Sequence, residues 1–222
     1  MRSNIIASQS EARLLAEHKV LRNTYALLSL TLLFSAFTAW FAMQINMPRL
    51  NIFVVLGGYF GLLWLTHKFS NQALGLLFVF LLTGFMGLTL GPILDLYLNR
   101  FANGTELVGM ALGGTGIIFL AMSGIALATK KDFSFMGNFL MIGILVAFIA
   151  AIANIFFQIP ALSLAVSSVF ILLMAGLILY ETSSIVHGGV TNYIIATTTL
   201  FVSIFNLFTS LLHILGVFGG ED

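Results

Sequence analysis

The chain has 222 residues, 59% of them hydrophobic and 8% charged, with a formal net charge of +1 at pH 7 and no cysteine. Roughly a quarter of the residues of a soluble domain are charged, so this is the composition of a polytopic membrane protein with little room beyond the membrane domain. It excludes disulfides, thiolate catalysis and cysteine-ligated metals, and it leaves no basic footprint for nucleic acid.

Residues 1–22, MRSNIIASQSEARLLAEHKVLR, are polar and mildly amphipathic through Leu14, Leu15, Val20 and Leu21. They are expected to form a solvated cytosolic tail, with a short surface helix or a disordered arm as the other readings. No cleavable signal peptide is expected, because the first apolar run is long enough to stay as a helix. Residues 23–222 are expected to form one transmembrane domain. Its seven apolar runs lie at about 24–45, 50–66, 73–97, 107–128, 135–157, 161–186 and 191–215. Asn46-Met47-Pro48-Arg49 ends the first, since proline cannot continue a helix and arginine prefers the interface. His67-Lys68, Asn99-Arg100, Lys130-Lys131-Asp132, Gln158-Ile159-Pro160 and His187-Gly188-Gly189 close the next five.

With the N-terminus inside, the inner segments hold Arg2, Arg13, Lys19, Arg22, Lys68, Lys130 and Lys131, and the outer loops only Arg49 and Arg100. Seven basic residues against two is a positive-inside bias, and seven spans put Glu221 and Asp222 outside. Glycines recur four residues apart at Gly57/Gly61, Gly87/Gly91 and Gly109/Gly113, a spacing expected to let helices pack closely. Gly113-Gly114-Thr115-Gly116 is no phosphate loop, because it lies in an apolar run without a following Lys-Ser/Thr.

No hydrolase motif is present, and His18, His67, His187 and His213 stand too far apart in sequence to suggest a metal site. No catalytic centre, metal or cofactor is therefore expected. Asp95, after Gly91-Pro92, is expected at a kink near the interface, snorkelling or paired with Arg100. Glu181 lies about twenty residues into the sixth run, roughly 30 Å from its outer start and close to the cytosolic edge of the hydrocarbon.

In the last run Thr199, Ser203, Asn206, Ser210 and His213 follow one another at spacings of four, three, four and three. At 3.6 residues per turn they share one face of a helix, which must then be surrounded by other helices. One reading makes the stripe a polar route ending at Glu181, which titrates with cytosolic pH; the other makes Glu181 an interfacial residue hydrated from the cytosol. The stripe would then form hydrogen bonds between helices, at roughly 0.6 kcal/mol each. The second reading suits Thr199 and Ser210, whereas Asn206, a bulky amide at mid-depth, is the best candidate for a specific role.

The segments HKVLRNTYALLSL, TGFMGLTLGPIL, ATKKDFSFMG and LILYETSSIVHGG followed by TNYI resemble the bacterial, YccA-like branch of the Bax inhibitor-1 family over nearly the whole chain. The resemblance implies an all-α, seven-helix bundle in a bacterial inner membrane with the last helix central. It implies two activities. One is binding and restraining the membrane-anchored AAA+ protease FtsH; the alternative is a pH-sensitive calcium or cation leak governed by one acid on each of the last two helices. Glu181 matches the first of these acids. Ser203, in Ser203-Ile204-Phe205-Asn206-Leu207-Phe208, stands where the second is kept, leaving one charge without a coupled partner and a poor calcium site. The family's basic latch on the second helix would fall to His67 or Lys68. The leading reading is the protease modulator, without enzymatic activity.

Overall fold

The computed structural model describes the backbone of residues 2–220 and the side chains of residues 18–220. The helices are α1 (Arg2–Gln44), α2 (Ile52–Lys68), α3 (Ala73–Arg100), α4 (Gly104–Thr129), α5 (Gly137–Phe157), α6 (Pro160–Val186) and α7 (Tyr193–Gly219). A single 3-10 turn, Ser134–Met136, precedes α5, and no strand occurs among the described residues. Six of the helices are long and apolar enough to cross a membrane, while α2, with 17 residues, is a shorter apolar helix of about 26 Å. The expected tail is helical in its backbone from Arg2, continuous with the apolar part of α1 that starts at His18. The side chains of residues 2–17 lie outside the described ones.

Each turn has a local cause. Asn46, Lys130 and Gln158 take the left-handed conformation that ends α1, α4 and α5, and Pro160 then starts α6 with its fixed φ. Gly188, at φ 71°, closes α6 in a turn where the Gly189 amide reaches back to the Ser184 carbonyl at 2.8 Å. Asn192 caps α7 by accepting from the amides of Ile194 and Ile195, and its own amide donates to Ser70 O and Asn71 Oδ1 in the α2–α3 turn. α3 runs as one helix through Pro92. Asp95 accepts from Asn99 at 2.9 Å rather than pairing with Arg100, whose guanidinium lies over the Phe101 ring.

The bundle is built around α7, which packs against α1, α2, α3, α4 and α6. Its apolar residues Leu200, Phe201, Ile204 and Leu207 form the main core with Leu28, Leu82, Met86, Met174 and Ile178. α5 packs mainly on α6 and the 3-10 turn, with one ring contact to α2 through Phe148 and Phe60, and it exposes Phe139, Met141, Ile142, Leu145 and Val146, the outward apolar face that a bilayer requires.

The three glycine pairs do not share one role. α1 and α3 approach closely at Gly84, Gly87 and Gly91, where an added Cβ would strike Phe34, Thr38 Oγ1, the Ser35 and Ala39 carbonyls, or Ala42. Gly57, Gly61, Gly109 and Gly113 have nothing within 4 Å of the position a Cβ would take. The expectation of tight packing thus holds for Gly87/Gly91 and fails for the other two pairs. Spacing places two glycines on one face, but whether a neighbouring helix covers that face is a tertiary matter.

Candidate functional site

Of the stripe on α7, Ser203 and Ser210 are buried and Thr199, Asn206 and His213 half-buried, and its polar groups are used mostly locally. Thr199 Oγ1 donates to Ile195 O at 3.2 Å, Ser203 Oγ to Thr199 O at 2.8 Å and Asn206 Nδ2 to Val202 O at 2.8 Å. These bonds return to the same helix one turn earlier, which satisfies a hydroxyl in an apolar setting without a partner helix. Of the five stripe residues, His213 reaches across: Nδ1 lies 2.9 Å from Ser167 Oγ and Nε2 lies 3.4 Å from Ser163 Oγ, both on α6. Interhelical bonding, expected above all of Thr199 and Ser210, is found at His213, while Thr199 bonds within its own helix.

Glu181 is only 5% exposed, and its Oε1 is buried without a hydrogen-bond partner. The groups at its level were not singled out from the sequence. Thr182 Oγ1 lies 3.3 Å from Tyr25 OH of α1 and 3.4 Å from Ser123 Oγ of α4, and Thr197 Oγ1 of α7 donates to Thr24 O at 3.2 Å. Thr24 Oγ1 is likewise buried without a hydrogen-bond partner. Four helices therefore converge hydroxyls on the level of Glu181. The only sequence trace of this belt is the run of hydroxyl residues Thr182-Ser183-Ser184 after the acid, because its other members are 59 to 173 residues away from their partners.

Among the described residues no hydrogen bond joins Glu181 to another predicted site residue. Ser203 is fully buried, with no solvent-accessible surface, and its hydroxyl turns back along α7. His67 and Lys68 end α2, a helix that does not contact α6. His67 Nδ1 lies 3.0 Å from Leu63 O, and Lys68 Nζ sits 4.6 Å above the Trp64 ring, so both side chains are engaged at the exposed end of their own helix.

One turn beyond Glu181, α6 holds the α4–α5 connection. Ser183 Oγ donates to Lys131 O at 2.9 Å and accepts from the Phe133 amide at 3.1 Å. The ring nitrogens of His187 face two carbonyl oxygens, Ser183 O at 2.8 Å and Lys130 O at 3.1 Å. Beside them the Asp132 carboxylate accepts from the Ser134 amide at 2.8 Å, and that bond holds its carboxyl below the ordinary aspartate range. Among the described residues no group of three His, Asp or Glu side chains is arranged to hold a metal ion.

Cavities follow α7 toward its other end. One of about 510 Å³ lies between α2 and α5 and is apolar except for Tyr59, Thr89 and Asn206. Another, of about 550 Å³, adjoins it at Val55, Thr89 and Phe205 and carries Arg49, Tyr97 and His213. A third, of about 380 Å³, shares Thr209 and His213 with the second and adds Asn154, Ser163 and Ser167. Asn206 and His213 thus line open space, while Ser203 and Glu181 sit in packed interior.

A family model described as "Inhibitor of apoptosis-promoting Bax1" matches residues 17–220. The chain is 51% identical over 218 residues to the Escherichia coli K12 protein named "Modulator of FtsH protease YccA", covering 98% of each. It is 50% identical over 203 residues to an uncharacterized protein of Pseudomonas aeruginosa, covering 91% of each chain. An uncharacterized protein of Pasteurella multocida is 48% identical over 222 residues, the full length of both.

Proposed function

This chain belongs to the Bax inhibitor-1 family, and on that premise we propose that it is an inner-membrane protein that binds and restrains an FtsH-type AAA+ membrane protease. The observation that carries this reading is the end-to-end likeness to the Escherichia coli protein that bears that name. In this reading all seven helices cross the membrane, α2 by virtue of polar residues at both its ends that meet a locally thinned bilayer. The N-terminus is cytosolic and the C-terminus lies on the opposite side. Support comes from the charge pattern: Lys68, Lys130 and Lys131 follow the even-numbered helices α2 and α4, and Arg49 and Arg100 follow α1 and α3.

A AAA+ machine begins by engaging a segment outside the membrane, and residues 1–22 are the proposed handle, being polar and reaching just past His18, where the apolar part of α1 begins. The close α1–α3 contact at Gly87 and Gly91 then resists withdrawal of the helix that would be pulled first. Deleting residues 2–17 is expected to lengthen the half-life of the protein in cells that contain the protease and to leave it unchanged in cells that lack it. An unchanged half-life in both strains removes the handle from the proposal.

A second reading, a pH-sensitive calcium or cation leak, rests on the buried, unpartnered carboxylate oxygen of Glu181. The fully buried Ser203 weighs against an open path in this conformation. Calcium flux in proteoliposomes at pH 6 and pH 8, compared between the native chain and Glu181→Gln, separates the readings. Absence of flux at both values ends the second one.

A further inference from the structure

The cavities beside α2 and α7 have a shape and a charge that the protease reading does not use. The space between α2 and α5 is bridged by the Phe60–Phe148 ring pair, centroids 5.6 Å apart, and beside that bridge it opens sideways past the exposed side chains of Phe60, Met141 and Leu145. This opening faces the hydrocarbon. The adjoining cavity continues from Val55 and Phe205 to Arg49, Tyr97 and His213. Arg49 is exposed, forms no described hydrogen bond or ion pair, and shares its cavity with no acidic residue. From Val202 to His213 the two spaces follow α7 for about 16 Å at 1.5 Å per residue, close to half of a hydrocarbon core of about 30 Å.

We propose that this groove is a binding site for one glycerophospholipid of the leaflet at the Arg49 end, with the phosphate on Arg49 and one acyl chain lying inward past Val55 as far as Asn206. A guanidinium recognises a phosphate through paired, charge-assisted hydrogen bonds, and the Tyr97 hydroxyl at the same mouth supplies another donor. The inner part, walled by Leu56, Phe85, Met174 and Leu177, has no charged group and only Tyr59, Thr89 and Asn206 as polar side chains, a lining that suits an acyl chain. A transmembrane helix, 10–12 Å across with its side chains, leaves the cationic mouth without a counter-charge.

The test is native mass spectrometry of the full chain in mild detergent, titrated with phosphatidylglycerol or with diacylglycerol of the same acyl chains. The native chain is expected to retain one phosphatidylglycerol and to prefer it over diacylglycerol about tenfold, the ratio that one good charge-assisted contact supplies. Arg49→Gln, at an exposed position, should remove that preference and leave weak binding of both lipids. Val55→Trp, at the junction of the two cavities, should reduce both, with an unchanged circular dichroism spectrum as the folding control. Equal binding of the two lipids by the native chain, or a phosphatidylglycerol preference that survives Arg49→Gln, overturns the proposal. Full retention by a folded Val55→Trp chain overturns the placement of the acyl chain.

Discussion

Replacing Gly87 by alanine pushes a methyl group of α3 into the backbone of α1. The new Cβ would meet Thr38 Oγ1 and the Ser35 carbonyl, both nearer than real Cβ contacts occur. The carbonyl cannot swing aside because it is helix backbone, and Thr38 Oγ1 can do so only by giving up its 3.0 Å hydrogen bond to that carbonyl. The strain is relieved only by separating α1 from α3, which also loosens the contacts of Gly84 on Phe34 and of Gly91 on Ala42. Overpacking of this kind costs about 1–3 kcal/mol, offset by up to about 1 kcal/mol of helix propensity gained by alanine over glycine. A net loss of about 1–2 kcal/mol raises the unfolded fraction roughly 5- to 30-fold. The assay is reversible unfolding in mixed micelles followed by circular dichroism, with Gly113→Ala measured alongside. Gly113 has nothing within 4 Å of its Cβ position, so that variant is expected to be neutral or slightly more stable. In cells containing the protease, Gly87→Ala should also shorten the half-life, since α1 leads the chain. Equal unfolding midpoints for the two variants would refute the packing argument.

Three further outcomes are expected. His187→Ala removes the contacts to Ser183 O and Lys130 O, so amide hydrogen exchange in residues 130–136 should rise about tenfold, the effect of one lost hydrogen bond at the upper end of its usual worth, while exchange in the core of α7 stays unchanged. Asn192→Ala should lower stability by about 1–2 kcal/mol, because it uncaps α7 and unties the α2–α3 turn; Asn192→Asp, which keeps the cap and loses the donated bonds, should recover part of that loss in the same unfolding assay. The Asp132–Ser134 contact should be intact at neutral pH and vanish in acid, with the Ser134 amide resonance moving only below the ordinary aspartate range. The sign follows from a carboxyl held low in the folded chain: its contribution is present above the unfolded value and is lost as pH falls through the folded one. A Ser134 resonance that shifts within the ordinary range contradicts the contact.

Composition and period by themselves determined that this chain is a helical membrane protein, where its helices break and that α7 is enclosed by other helices. Those properties depend on local chemistry: the cost of burying unpaired backbone in hydrocarbon, the missing proline donor, and the 3.6-residue turn. Glu181 was legible as a candidate because a carboxylate is rare in such a segment. Its surroundings were not. Tyr25, Ser123 and Thr197 join the belt at its level through contacts 59 to 173 residues apart, and nothing local to any of them marks the partner. The same limit explains the glycines, where Gly87/Gly91 and Gly109/Gly113 share one spacing and only the first pair meets a neighbour. Tertiary structure also decided that the α7 stripe is spent mostly on its own helix, that His67 and Lys68 stand apart from Glu181, and that Arg49 opens onto an apolar groove. Each of these depends on which helix packs beside which, and periodicity orients a single helix without naming its neighbours.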